Sequence, residues 1–233
     1  ININGNLKVK KNKIFELNIK SLFLNGEELI FAINTNSQNE QITNMYTKYP
    51  KPLLKRYKFI KGFEGGVFDF QSIKKDDISQ SVLIIDNFKV KEVPVLAKIL
   101  TLASLQGIAD LLTGEGIRFT DFEMKFRSEN NKMLINEIYA IGPAISIMLD
   151  GYIERDRFTS LSGTLVPATT INRTISSIPF LGDILVGKKV GEGVFGVSFK
   201  VKGSPKNLKT TVNPIKTLTP RFITRTLEKI KKN

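Results

Sequence analysis

Apolar and polar residues alternate in twos along most of this 233-residue chain, the period expected of strands that bury one face. Leu7 and Val9, then Phe15, Leu17 and Ile19, then Leu29, Phe31 and Ile33 occupy every second position, with Asn, Lys and Glu between them. Asn-Gly pairs at Asn4-Gly5 and Asn25-Gly26 read as turn signals, and the second, between Leu24 and Leu29, predicts a hairpin. From Ser37 to Tyr57 the alternation stops. A short helix is expected around Gln41–Lys48, then a turn at Tyr49-Pro50-Lys51-Pro52, because two prolines cannot donate to a ladder and push their predecessors toward extended backbone. Alternation resumes weakly at Val67–Phe70 and again in a more buried strand over Val82–Val90. Asp76 and Asp77 lie between these two beside Lys74 and Lys75, and with no third ligand at a helpful spacing they read as a solvated turn and not a metal site.

Val93–Leu112 changes period. Leu96, Ile99, Leu100, Ala103 and Gly107, with Leu111 beyond, recur at three and four, and Thr113-Gly114 ends the run. So few polar positions interrupt this helix that it must lie on or plug a sheet. Four more strands follow at Ile117–Arg127, Met133–Tyr139, Ala144–Ile153 and Phe158–Val166, divided by Asn130-Asn131, Gly142-Pro143 and Arg155-Asp156. The third alternates in both registers, so both of its faces are expected to be covered. Thr170–Leu185 is irregular or briefly helical around Ile171, Ile175 and Ile178, Phe195, Val197, Phe199 and Val201 form the cleanest alternation of all, and Leu208–Val212 adds a last strand. The chain closes on a basic amphipathic helix. Thr219 suits its N-cap and Pro220 its first position. Phe222, Ile223, Leu227 and Ile230 fall on one side, flanked by Arg221, Arg225, Lys229, Lys231 and Lys232. The fold class is therefore mainly β with a few helices, an α+β arrangement on antiparallel strands.

Composition narrows the chemistry. There is no histidine, cysteine or tryptophan, which excludes Ser-His-Asp and Cys-His nucleophiles, common zinc sites, haem ligands and disulfides. The formal charge is +13, from 35 basic and 22 acidic residues. From Lys188 to Asn233 twelve Lys and Arg face only Glu192 and Glu228, a net +10, which leaves 23 basic and 20 acidic residues before it. An AT-rich genome explains abundant lysine but not why acids thin out only at the end. No stretch reaches the roughly 18 to 20 apolar residues of a spanning helix; the nearest, Val93–Leu112, carries Lys98, Gln106 and Asp110. The chain starts at Ile1 without a methionine or a signal-peptide pattern, and is expected to be a piece of a longer protein with its targeting segment elsewhere.

Literal motifs fare poorly against simpler explanations. Gly191-Glu192-Gly193-Val194-Phe195-Gly196-Val197 matches both a kinase glycine-rich loop and a loose dinucleotide fingerprint. The second needs a helix after the glycines, where a strand is expected. The first needs a catalytic core downstream, and a histidine. Asp150, Glu154 and Asp156 bracket a turn beside Arg155 and Arg157, where charges compensate one another in solvent. Phe195 and Phe199 lie near Lys200 and Lys202 but share a face with Val197 and Val201, so nucleic acid is not the expected partner. Neither an enzyme nor a cofactor is expected. Two readings of the apolar faces stay open: an ordinary closed core, or an open trough for acyl chains. The terminal helix likewise either docks on its own domain or lies in a membrane interface.

One further pattern bears on this choice. An apolar helix ends at Gly114-Glu115-Gly116, a strand runs through Phe119 and Phe122, and Ala140-Ile141-Gly142-Pro143-Ala144 leads to Asp150-Gly151. Gly163-Thr164-Leu165-Val166-Pro167 follows, then Ile178-Pro179-Phe180-Leu181-Gly182, the glycine-rich turn into Phe195–Lys200, Val212-Asn213-Pro214 and Leu218-Thr219-Pro220. In this order, over Val93 to Phe222, they resemble the C-terminal region of the AsmA-like family. The resemblance is to YhdP-type members most, with TamB-type proteins more distant. It implies a curled antiparallel sheet forming an elongated groove, with residues 1–92 as groove-type strands and residues 93–233 as the AsmA-like C-terminal region, continuous with them. It implies a periplasmic, membrane-associated segment of a Gram-negative envelope protein anchored upstream in the inner membrane, conducting phospholipid between the two membranes. Under it Ile145, Ile147, Leu149, Phe195, Val197, Phe199 and Val201 are candidate lipid-groove residues. Arg221, Phe222, Ile223, Arg225, Leu227, Lys229 and Ile230 are candidates for contact with a membrane or an envelope protein. The alternative is a non-catalytic envelope scaffold with a closed core.

Overall fold

The computed structural model describes residues 2–55, 61–167 and 196–215. Among them twelve strands form one antiparallel sheet in chain order. The first six are β1 (Asn2–Lys10), β2 (Lys13–Leu22), β3 (Glu28–Thr35), β4 (Gln41–Thr47), β5 (Lys61–Lys75) and β6 (Ile78–Lys91). The others are β7 (Ile117–Glu129), β8 (Lys132–Ile141), β9 (Ile145–Glu154), β10 (Phe158–Pro167), β11 (Gly196–Ser204) and β12 (Asn207–Ile215). Helix α1 (Lys51–Leu54) lies between β4 and β5, and α2 (Pro94–Leu102) and α3 (Gln106–Thr113) lie between β6 and β7. The sheet does not close: β1 and β12 each pair on one side only. It runs without a break across residues 92 and 93, since β6 pairs with β7 from Ile78↔Glu129 to Val90↔Ile117.

Tight turns explain the meander. Lys11 and Asn12, at φ +49° and +61°, join β1 to β2, the double left-handed geometry whose twist suits a two-residue hairpin. Asp76, Asn130 and Asp156 take positive φ at three later hairpins, where short polar side chains tolerate that conformation best. Asp76 and Asp77 are thus the exposed turn expected of them. Asn4-Gly5 is not a turn. Gly5 lies inside β1 opposite Ile19, where a Cβ would come 2.7 Å from the Asn18 carbonyl oxygen.

The helices fix the curvature. Only Glu92 and Val93 separate β6 from α2, yet α2 also touches β12. Strands six places apart in a flat sheet would be ~29 Å from each other, about twice the ~13 Å length of a helix the size of α2. The sheet between β6 and β12 is therefore curled around the helix pair. Leu96, Ile99 and Leu100 of α2 and Ala109 and Leu112 of α3 are buried with Phe63, Phe88, Val90, Ile117, Ile145 and Leu165. Phe88 anchors this core, stacking on Phe63 at 5.2 Å and Phe119 at 5.5 Å and meeting Phe122 edge-on at 6.1 Å.

Two expectations are corrected. Val93–Leu112 is not one helix but two, because Ser104 takes φ +57° and the Leu105 N–H donates to the Leu100 carbonyl at 2.9 Å, a left-handed cap that ends α2. The apolar period of three and four continues through this break, which hid it. Gln41–Lys48 holds a strand, β4, and no helix. Met45 pairs with Phe31 on one side and Phe70 on the other, so two neighbouring strands that need partners override a mixed local pattern. Strand β5 is also far longer than Val67–Phe70. Thr170–Leu185 and the helix expected after Thr219, with Arg221, Phe222, Ile223, Arg225, Leu227, Lys229 and Ile230, lie outside the described residues, as does Phe195.

Candidate functional site

Residues directly opposite in an antiparallel ladder share a face, so the registers trace the face that carries α2 and α3 across the whole sheet. One line begins at Gly5 on β1 and passes Ile19, Phe31, Met45, Phe70 and Leu83 to Met124 on β7. It continues through Ile138, Leu149, Gly163 and Phe199 to Val212 on β12. Every position is apolar, over an arc of ~53 Å at normal strand spacing. From Ile19 to Leu149 all are half-buried, and none is closed over. On one side the line is bounded by the helices, with buried Phe68, Ile85 and Leu165 beneath or beside them. On the other, over β4 to β6, it meets hydroxyls: Thr43 opposite Ser72, and Ser72 opposite Ser81, whose Oγ atoms are 2.8 Å apart.

The structure brings the sequence-predicted groove residues of β9 and β11 onto this same face. Leu165 lies between Ile147 and Val197, Gly163 between Leu149 and Phe199, and Leu161 opposite Val201. Gly163 has no room for a side chain, since a Cβ would come 2.6 Å from Leu149 Cβ and 2.7 Å from Phe199 Cζ. Ile145, Val197, Phe199 and Val201 are buried in the core, whereas Ile147 and Leu149 are half-buried. The face is more open on β1 to β4, where Ile3 and Leu7 are 66% and 56% exposed and Leu17, Ile19, Leu29, Phe31 and Ile33 are half-buried, although Ser21 and Thr47 at one end of it are buried. Their alternation was legible in the sequence, but the absence of a helix above them was not.

The opposite face is polar over most of the sheet, and some of its charges are paired across neighbouring strands. Lys8 pairs with Glu16 at 2.6 Å, Lys20 with Glu28 at 2.9 Å and Lys89 with Glu64 at 3.0 Å. The hydrogen bond from Lys89, then its charge, holds the Glu64 carboxyl below its ordinary range; Lys91 and Lys51 add smaller effects, and burial opposes them. One apolar island interrupts this face, where Tyr139, Met148 and Val166 are buried beside Ile141. Both faces of β9 are thus covered, as its double alternation predicts. Ser146 is fully buried there, its Oγ without a hydrogen-bond partner.

Polar groups converge at the hairpin ends of β7 to β10, in a depression of about 510 Å³ lined by Arg127, Glu129, Lys132, Leu134, Glu154 and Arg157 among others. Arg127 is paired with Glu129 at 2.9 Å, and Lys132 Nζ lies 4.4 Å from the Tyr152 ring centre. The exposed Asp150 accepts a 3.4 Å hydrogen bond from the hydroxyl of half-buried Ser162, and Asp156 is a turn residue. Among the described residues no cluster of three metal-ligating side chains occurs, and no helix is long and apolar enough to cross a membrane. Compared with known proteins, the chain matches no family model, no curated protein and no solved structure.

Proposed function

We propose that this chain is the C-terminal segment of an AsmA-like, bridge-type lipid-transfer protein of a Gram-negative envelope, holding phospholipid acyl chains along the apolar face of its sheet. The observation that carries this reading is the unbroken apolar line from Ile19 to Leu149 on an open sheet, half-buried and bounded by helices on one side. An acyl chain laid along it gains about 0.8 kcal/mol per buried methylene, and no residue has to bond it, in keeping with a chain that lacks histidine and cysteine. Headgroups stay at the rim, near the Thr43, Ser72 and Ser81 hydroxyls. The terminal segment with Arg221, Phe222, Arg225 and Lys229 meets a membrane surface or an envelope protein at the C-terminal end.

Native mass spectrometry of the protein purified from phospholipid-containing cells tests this. Phospholipid adducts are expected, and Phe31→Asp with Met45→Asp abolishes them. A second reading is favoured by the complete burial of Ile145 and near-complete burial of Phe199 and Val201: an envelope scaffold with a closed core, which carries no lipid in the same measurement.

A further inference from the structure

On the last three strands and the turn between β11 and β12 the charge is of one sign. Residues 158–167 and 196–215 contain no acid at all, but hold Lys200, Lys202, Lys206 and Lys209. All four lysines are exposed, and none has an acidic partner among the described residues. Lys202 stands directly opposite Lys209 in the ladder, an arrangement that costs stability unless an anion lies between or above them. Hydroxyls fill the positions around them on the same face: Ser160 is opposite Lys202, Ser162 opposite Lys200, and Thr211 opposite Lys200 on the other side. Beside this field the same outer face exposes Phe158 at the start of β10 by 37% and Leu134 on β8 by 42%.

We infer that the outer face of β10 to β12 is a docking surface for an anionic lipid bilayer. Lysines on two adjacent strands, β11 and β12, and on the turn between them match a planar array of phosphates, with the serine and threonine hydroxyls of β10 and β12 beside them as further donors. The aromatic rings of this face, Phe158 and Tyr152 at 6.4 Å, stand at its edge, and none lies among the lysines of β11 and β12, where stacking on a single-stranded polynucleotide would need one. Exposed Leu134 and Phe158 suit the boundary between headgroups and acyl chains. Among the described residues, the acids of the adjoining strand and its turn, Asp150, Glu154 and Asp156, lie on or just after β9, outside the lysine field. This surface is on the opposite side of the sheet from the proposed acyl face and does not depend on it.

Sedimentation with vesicles of 30% phosphatidylglycerol in phosphatidylcholine tests the inference on the full chain. Each lysine contributes roughly fivefold to binding near such a surface, so the quadruple variant K200Q/K202Q/K206Q/K209Q is expected to lose about 100-fold or more. The variant K11Q/K13Q/K48Q/K55Q removes the same charge from the other half of the chain and is expected to lose little. Equal losses in both variants, or none in the first, overturn the inference. So does a duplex or single-stranded oligonucleotide that displaces the vesicles and loses affinity through the same four substitutions. Circular dichroism checks folding, and should the quadruple variant misfold, K202Q and K209Q alone are expected to lose about fivefold each; unchanged binding overturns the inference equally.

Discussion

Strands β1 to β4 and strands β8 to β11 carry the same apolar-polar alternation, yet their equivalent positions end in opposite environments. Leu7 on β1 is 56% exposed, while Ile135 on β8 and Val201 on β11, on the same face, are each 2% exposed. Alternation decides which face is apolar; what lies on that face decides whether it becomes core. The connection between β6 and β7 supplies α2 and α3, and the sheet from β6 onward curls around them. The first four strands have no such cover among the described residues.

The largest effect should come from removing that cover. Leu100→Ala or Leu112→Ala, both fully buried in the helices, should cost about 2–5 kcal/mol in denaturant unfolding, against less than about 1 kcal/mol for Leu7→Ala on exposed β1. Similar costs at the two ends would remove the distinction. Gly163→Ala should cost about 1–3 kcal/mol, because its Cβ intrudes between Leu149 and Phe199; a neutral outcome would mean the β9–β11 packing is loose. Ser146→Ala should instead stabilise by about 1 kcal/mol, since it deletes a buried hydroxyl with no partner.

The smallest effect is a pH dependence at the Glu64–Lys89 pair on β5 and β6. Glu64 titrates lower folded than its ordinary value of 4.5. Its contribution is therefore complete above about pH 4.5 and is lost as pH falls through the lowered folded value. Glu64→Gln should flatten that limb of the stability profile slightly, as suits an exposed pair.

Much of this fold was legible in the chain. Strands β7 to β12 follow from clean alternation between turn residues, and the two-faced burial of β9 follows from its double register. Three features were not. The break at Ser104 depends on one left-handed residue inside an uninterrupted apolar period. Strand β4 is defined by its partners Phe31 and Phe70 and not by its own mixed composition. The turn at Lys11-Asn12 places a lysine at positive φ, and its single asparagine stands in a lysine-rich run that hides the turn. For the site, β9 and β11 stood out because their patterns are strongest, and strong patterns mark what is best buried. The open part of the face, around Ile19, Phe31 and Met45, has an ordinary pattern, and periodicity carries no information about what covers it. Likewise the excess of basic residues was countable, but the opposition of Lys202 and Lys209 depends on a register that only pairing supplies.

Adjacent positions on β3 offer the most direct test of the central claim, because Ile30 and Phe31 point to opposite faces of the sheet. A photo-reactive benzophenone residue placed at each position, followed by irradiation in phospholipid-containing cells, reads lipid contact one residue at a time. The account predicts phospholipid adducts at Phe31 and none at Ile30. Equal adducts at both positions, or none at Phe31, would contradict it.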